Sequence, residues 1–150
     1  MADWLEATVD KFRFRVPTDR LYTPDGTWLR AEGAGQVRLG VTDYLQQHSG
    51  DIAFVLTKPP GTRLARDEEV ASLETIKVNL SLSSPVGGIV AEVNASLDAA
   101  PELLNQDPYG RGWLVVINAA SWELERPRLL EPDAYLGVMR SQAEAELAQP

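Results

Sequence analysis

One short pattern occurs twice in this chain. Gly35-x-Val37-x-x-x-Val41-x-x-x-Leu45 recurs 52 residues later as Gly87-x-Ile89-x-x-x-Val93-x-x-x-Leu97. Each copy starts as a strand, passes through a short polar or helical stretch, and reaches an apolar run, residues 52–56 and 113–117. Two β-halves of similar pattern, packed face to face, bury both runs at once. About four strands per half make a flattened barrel or sandwich. Short strand patterns also coincide by chance, and that reading stays open beside the repeat.

The rest of the chain reads as further short elements. Residues 1–20 mix charges with Trp4, Phe12 and Phe14, and read as a short helix or an extended arm. Pro24-Asp25-Gly26 is turn chemistry leading into a strand at 27–32. Residues 36–41 alternate polar and apolar, as a half-buried strand does. Thr42 is an N-cap type residue opening a short helix through Gln47. Residues 52–56 read as a buried strand. Residues 99–105 fit one helical turn with Pro101 near its start. Residues 113–117 form the most apolar strand. Beyond Pro132, Leu136, Met139, Ala143 and Leu147 recur at spacings of three and four, predicting an amphipathic helix. The expectation is a single mainly-β domain over 1–150. Residues 1–20 are its N-terminal arm, 21–118 its sandwich and 119–150 a C-terminal helical segment.

Composition removes several chemistries. The chain has no cysteine, so disulfides, thiolate metal sites and cysteine nucleophiles are all absent. Its one histidine, His48, cannot build a histidine metal site or a nucleophile–base–orienter set, so no catalytic residue is assigned and the chain reads as a non-enzyme. A net charge of −8 opposes binding to phosphate backbones and favours docking on basic patches of other proteins. No stretch reaches the roughly 18–20 apolar residues of a membrane span. The start Met1-Ala2-Asp3-Trp4-Leu5-Glu6 lacks a signal-peptide pattern, and a cytoplasmic location is the expectation. Eleven arginines accompany only three lysines, Lys11, Lys58 and Lys77, so lysine-specific chemistry has three candidates.

Between the repeat copies lies Glu69-Val70-Ala71-Ser72-Leu73-Glu74-Thr75-Ile76-Lys77-Val78-Asn79-Leu80-Ser81-Leu82. Val78, Leu80 and Leu82 alternate with polar residues, and Val70 and Leu73 approach from the other side. The segment predicts a hairpin turning near Thr75 to Val78, without the Asn-Gly or Asp-Gly of common hairpins. Lys77 stands there between two β-branched residues, its amine a compact charge on a flexible four-carbon stem. The local pattern alone favours an ordinary exposed strand lysine over an acyl acceptor.

Seven blocks in order reverse that balance. They are Tyr22-Thr23-Pro24-Asp25 with Trp28, Gly40-Val41-Thr42-Asp43-Tyr44, Gly50-Asp51-Ile52-Ala53-Phe54-Val55, Glu74-Thr75-Ile76-Lys77, Ser84-Pro85-Val86-Gly87-Gly88, Val93-Asn94-Ala95-Ser96-Leu97, and Asn105-Gln106-Asp107-Pro108-Tyr109-Gly110-Arg111-Gly112-Trp113-Leu114. Together they resemble the H protein of the glycine cleavage system and its relatives over most of the chain. The resemblance implies a lipoyl/biotinyl-type flattened β-barrel sandwich, with lipoic acid joined covalently to Lys77 as N6-lipoyl-lysine. Glu74 looks like the acidic residue by which a lipoate-protein ligase or lipoyl transferase recognises the site. Carriage rather than catalysis follows, with dihydrolipoyl dehydrogenase as a partner.

Two blocks depart from the H-protein pattern. Gly26-Thr27 stands where histidine-glutamate is usual, and Val78-Asn79-Leu80-Ser81 where alanine-x-serine-aspartate is usual. The run from Thr75 to Leu80 looks more like the lipoate-binding proteins of the bacterial sulfur-oxidising heterodisulfide-reductase-like pathway. That resemblance makes carriage of a sulfur-bound intermediate to a heterodisulfide-reductase-like complex the preferred expectation. The alternative is an H protein passing an aminomethyl group among the glycine cleavage enzymes. An unmodified interaction domain and a biotin carrier also stand. Biotinyl domains typically flank the lysine with methionine, where this chain has Ile76 and Val78.

His48 reads mainly as a surface residue, with a place near a lipoyl arm as the second reading. Tyr109 and Trp113 read as packing residues, with a lining of the arm's groove as the second reading of Pro108-Tyr109-Gly110. Asp67, Glu68 and Glu69 read as a solvated acidic face or part of a docking surface near the hairpin.

Overall fold

Phe12-Arg13-Phe14-Arg15-Val16-Pro17 alternates strictly, and a period of two is that of a strand. In the computed structural model, which describes residues 3–148, this run is β2 (Phe12–Pro17). It pairs antiparallel with β1 (Trp4–Val9), from Trp4↔Pro17 to Val9↔Phe12. Asp10, at φ 56°, takes the left-handed turn between them. Within the expected helix or arm over 1–20, residues 4–17 are instead a β-hairpin, and residues 1 and 2 lie outside the described residues. Its inner face, Ala7, Val9, Phe14 and Val16, is buried.

The central sandwich has two further sheets, and every strand pairing is antiparallel. Its strands are β3 (Leu21–Tyr22), β4 (Thr27–Gly33), β5 (Gln36–Val41), β6 (Ile52–Thr57), β7 (Arg63–Leu64), β8 (Glu69–Thr75), β9 (Asn79–Ser83), β10 (Gly88–Val93) and β11 (Val115–Ala119). The larger sheet runs β3-β4-β5-β11-β10-β7 and the smaller β6-β8-β9. Leu29, Val37, Leu39 and Ile117 of the first meet Ile52, Val55, Val70, Leu73 and Leu82 of the second in one buried core. The expected flattened β-sandwich is thus present, with its sheets not closed into a barrel. The repeat strands β5 and β10 lie in the same sheet, on either side of β11, so the face-to-face relation belongs to the sheets and not to the copies.

Two expectations shift. Residues 52–56 are buried on one face only: Ile52 and Val55 point inward, while Phe54 and Leu56 are each 64% exposed on the outer face of the small sheet. The last strand begins at Val115 rather than Trp113. Gly112 just before it is pressed against the carbonyl oxygens of Leu103 and Asp107, leaving no room for a side chain.

The helices are α1 (Asp43–Ser49), α2 (Ser96–Ala99), α3 (Leu103–Gln106), α4 (Trp122–Glu125) and α5 (Pro132–Leu147), with a 3-10 turn at Arg126–Arg128. Thr42 caps α1, its Oγ1 accepting from the Leu45 amide at 3.2 Å. Pro101, which has no N–H to donate, separates α2 from α3 where one turn was expected. The buried stripe of α5 is Tyr135, Met139 and Ala143. Leu136 is half-buried and Leu147 exposed, so the expected stripe is rotated toward Tyr135. This stripe packs on the N-terminal hairpin and on Tyr22, Trp28 and Tyr44, forming a second core beside the first.

Candidate functional site

β8 and β9 form the predicted hairpin, in register from Glu69↔Ser83 to Glu74↔Asn79. Leu73 and Leu82 fix it to the sandwich core, and its tip projects beyond the last pair. The tip closes without glycine because Thr75 supplies the missing bonds. The Thr75 amide donates to the Val78 carbonyl at 2.9 Å. The Thr75 Oγ1 in turn accepts from the amides of Lys77 and Val78 at 3.2 and 3.0 Å. A threonine hydroxyl that captures amides two and three residues ahead is a side-chain mimic of a backbone turn. Sequence reasoning located the turn and missed this lock. The signal was the hydroxyl residue that follows Glu74.

Ile76 and Lys77 occupy the two central positions of the turn, and both are exposed. Among the described residues Lys77 has no ion-pair partner, whereas Lys58 faces Glu69 at 3.7 Å and Lys11 lies against the Phe12 ring. Among the described residues, Lys77 is thus the lysine whose amine has neither an ion-pair nor a ring partner, and it stands at the hairpin tip. Glu74 is exposed on the outer face of the same hairpin, opposite Phe54 of β6 and Asn79 of β9. Phe54, Leu56 and Ile76 put an apolar surface around this carboxylate.

The Lys77 stem leans back over the end of α1, its Cε 3.8 Å from where a Cβ on Gly50 would stand. From there it enters a groove of about 360 Å³ that His48, Tyr44, Phe12 and Phe14 also line. His48 is exposed, as its main reading had it, and it lines the same groove as Lys77. Its Nδ1 meets Glu146 Oε1 of α5 at 2.9 Å, and the Tyr44 hydroxyl donates to the same oxygen. Burial, followed by this carboxylate contact, pushes the Tyr44 hydroxyl well above the ordinary tyrosine range. Neither Glu146 nor the aromatic wall was legible as part of the site, since they come from the two ends of the chain.

Other expected residues lie elsewhere. Tyr109 does not line the Lys77 groove. Its hydroxyl donates to the Arg15 carbonyl at 2.6 Å and accepts from the Asp43 amide at 2.9 Å, tying β2 to α1. Burial drives that hydroxyl far above its ordinary range. Trp113 is half-buried under Arg38, 4.3 Å from its ring centre, in a packing role. Asp67, Glu68 and Glu69 stand at the root of the Lys77 hairpin, a strand length of roughly 20 Å from its tip, so the acidic face does not surround the lysine.

A free amine at a stiff tip beside a groove with an aromatic side and a polar end fits a long acyl chain with a compact, weakly polar terminus. A lipoyl group has that form. No helix among the described residues is long and apolar enough to cross a membrane.

Comparison with known proteins agrees with this geometry. The Glycine cleavage H-protein family matches residues 20–142. The Glycine cleavage system H protein of Salinibacter ruber is 41% identical over 123 residues, which span 82% of this chain and 98% of that protein. That of Mycobacterium tuberculosis (strain ATCC 25177 / H37Ra) is 39% identical over 129 residues, 83% of this chain and 96% of its own. The crystal structure of a glycine cleavage system H protein from Mycobacterium marinum superposes with a TM-score of 0.73 at 30% identity, covering 81% of this chain and 97% of that one. These relatives favour the glycine cleavage alternative over the sulfur-oxidation preference, which draws no support from them. The chain belongs to the glycine cleavage H-protein family, whose members are non-catalytic proteins carrying a lipoyl group on a lysine.

Proposed function

We propose that this protein is the cytoplasmic lipoyl carrier of a glycine cleavage system, modified on Lys77. The observation that carries the reading is the Lys77 amine, without an ion-pair partner among the described residues, at the tip of a hairpin closed by Thr75 and on the edge of a groove of about 360 Å³. When bound, the lipoyl group supplies a cyclic disulfide that opens to take up a group and closes again by thiol–disulfide exchange.

The chain's own residues do the positioning. Glu74 and the exposed Phe54, Leu56 and Ile76 offer a carboxylate ringed by apolar surface, suited to recognition by a lipoate-protein ligase or lipoyl transferase that must reach Lys77. Thr75 holds the attachment point still. His48, oriented by Glu146, donates or accepts a hydrogen bond at the polar end of the groove. Tethering raises the effective concentration of the carried group at each docked partner, here the glycine cleavage enzymes and dihydrolipoyl dehydrogenase.

A second reading rests on one specific observation. The two positions where H proteins usually carry carboxylates are neutral here, and both hydroxyls are engaged. Thr27 Oγ1 lies 2.7 Å from Thr23 Oγ1, and Ser81 donates to Glu69 at 2.6 Å. Neither supplies a carboxylate, and the one in the Lys77 groove is Glu146, already engaged by His48 and Tyr44; the two neutral positions favour a cargo without positive charge, as in cytoplasmic sulfur-compound oxidation with a heterodisulfide-reductase-like complex.

The deciding experiment uses lipoylated, reduced protein incubated with glycine and the glycine-decarboxylating partner, read by intact mass. A gain of the glycine-derived one-carbon unit, absent in Lys77→Ala, supports glycine cleavage. Lipoylation at Lys77 without that gain favours the second reading. Absence of lipoylation at Lys77 overturns the carrier assignment.

A further inference from the structure

An open sheet edge presents unpaired N–H and C=O groups on which another strand can form, and short strands, charges, prolines and covering segments normally blunt it. Most edges of this protein are blunted in that way. The edge strands of the large sheet, β3 and β7, are two residues long. β6, at one edge of the small sheet, is capped where it starts, the Ile52 amide donating to Asn105 Oδ1 at 2.9 Å, and it runs out into Lys58-Pro59-Pro60. In the N-terminal hairpin the outer edge of β2 is bonded to α1: the Arg15 amide donates to Asp43 Oδ2 and the Gln47 side chain to the Arg13 carbonyl, each at 2.9 Å. β1 packs against α5.

β9, the other edge of the small sheet, has none of these guards. It is five residues long, Asn79-Leu80-Ser81-Leu82-Ser83, with no charge and no proline. The Thr75 amide bonds the Val78 carbonyl, which sets the phase of the ladder. Alternation then turns the main-chain groups of Leu80 and Leu82 toward β8, and those of Asn79, Ser81 and Ser83 toward the open side. Among the described residues no other main-chain segment bonds to those six groups. Apolar surface is also left open along this edge. Val78 is 45% exposed and Leu80 half-buried, on the face where Leu82 enters the core. On the opposite face Glu74 stands across the ladder from Asn79, in a chain of net charge −8. A strand laid along β9 would cover Val78 and Leu80 with apolar side chains and set a long basic one within reach of Glu74.

We infer that β9 is a strand-addition site for the enzyme that loads the lipoyl arm. The occupant is an extended segment of that partner, apolar at alternate positions toward Val78 and Leu80 and basic on the side of Glu74, paired with Asn79, Ser81 and Ser83. The inference rests on the glycine cleavage reading above, and the loading enzyme is then the glycine-decarboxylating partner. Main-chain bonds supply the affinity of such a contact and alternate side chains its selectivity. β9 starts two residues, roughly 7 Å, beyond Lys77, so pairing along it fixes how the attachment point faces the partner. Phe54 and Leu56, offered to the lipoylating enzyme, lie on β6 at the other edge of the same sheet, and the two partners read different edges.

The test uses the lipoylated full-length protein and the glycine-decarboxylating partner, with the initial rate of glycine-dependent mass gain followed against carrier concentration. Ser81→Pro removes an outward N–H and sets a ring on the open edge, while the bonds of Leu80 and Leu82 to β8 remain. It should raise the KM for the carrier about tenfold with kcat unchanged. Ser81→Ala loses the hydroxyl but keeps the N–H, and should match the parent. Amide exchange on the parent supplies a reading that a folding defect cannot mimic. The partner should slow exchange at Asn79, Ser81 and Ser83, and leave Leu80 and Leu82, already bonded within the sheet, unchanged. A parent that gains no mass from glycine removes the glycine cleavage reading and this inference together. A parent that is loaded, but whose edge amides exchange as before beside the partner or whose KM survives Ser81→Pro, overturns strand addition alone. A dimer of the parent that Ser81→Pro abolishes overturns it too, since the edge then belongs to a second copy.

Discussion

Tyr22 and Tyr135 stack almost parallel, with ring centroids 4.7 Å apart and planes 8° from coplanar, and both are fully buried. The pair joins β3 to α5, and each hydroxyl extends the joint: Tyr22 donates to the Pro17 carbonyl at 2.5 Å and Tyr135 lies 2.9 Å from Thr42 Oγ1. Tyr135→Ala should destabilise the protein by about 3–5 kcal/mol, the cost of truncating a buried aromatic. Tyr135→Phe should cost only about 1 kcal/mol, since it deletes one hydrogen bond. Thermal denaturation distinguishes the two. Equal losses would mean that the hydroxyl, not the stacked ring, holds the joint.

All four tyrosines have raised pKa values, and burial is the first cause in each. Tyr135 is pushed up to about 12, against a hydrogen bond with Thr42 that works the other way. A folded-state value above the unfolded one means stability fully present below the ordinary tyrosine value of 10.0 and lost as the pH climbs through about 12. Ultraviolet titration should show no separate tyrosinate rise near pH 10, and ionisation should coincide with unfolding by circular dichroism. Tyrosinate forming well before the structure is lost would contradict the burial described here.

Thr75→Val keeps the β-branched shape and removes the hydroxyl that holds the Lys77 and Val78 amides. Hydrogen exchange at those two amides should accelerate, while global stability falls by no more than about 1 kcal/mol. Unchanged exchange would show that the strand register alone closes the tip.

Lys77→Arg should abolish lipoylation outright, because guanidinium is not an amine acceptor. Glu74→Gln should slow it by about tenfold through loss of one charge-assisted contact with the lipoylating enzyme. Glu74 is exposed, so the melting temperature should not move. An undiminished rate for Glu74→Gln would transfer recognition to the apolar residues Phe54, Leu56 and Ile76.

Gly40 is covered by Trp28, whose ring carbons Cε2 and Cζ2 lie 2.5 Å from where a Cβ would stand. Trp28 cannot retreat easily, being fully buried and bonded through Nε1 to the Pro108 carbonyl at 3.0 Å. Gly40→Ala should cost about 1–3 kcal/mol by overpacking and quench or shift Trp28 emission. A variant as stable as the parent would show that β5 can yield at this point.

The sequence carried the sandwich strands and the Lys77 turn because each has a local signature: alternation in residues 36–41 and 78–82, and turn residues between runs. The alternation of residues 12–17 was equally local, yet the charges and aromatics around it read as a helix or arm. Phe54 and Leu56 looked buried because apolarity alone does not say which face of a strand meets solvent. The groove was beyond local reading. Phe12, His48, Lys77 and Glu146 are separated by up to 134 positions and meet only through the packing of the first hairpin and the last helix on α1. Tyr109 shows the converse, a motif residue whose neighbourhood made it a tie between β2 and α1.

The threonine lock has a mechanical consequence. A glycine turn would let the attachment point wander, and the territory swept by the arm would blur with it. With Thr75 bracing Lys77, the pivot stays put and all motion lies in the side chain and whatever it bears. The accessible space is then a dome of fixed centre, which sets a geometric condition on every partner: its catalytic pocket must come within one arm's length of a single point, and the carrier's backbone will not bend to meet it.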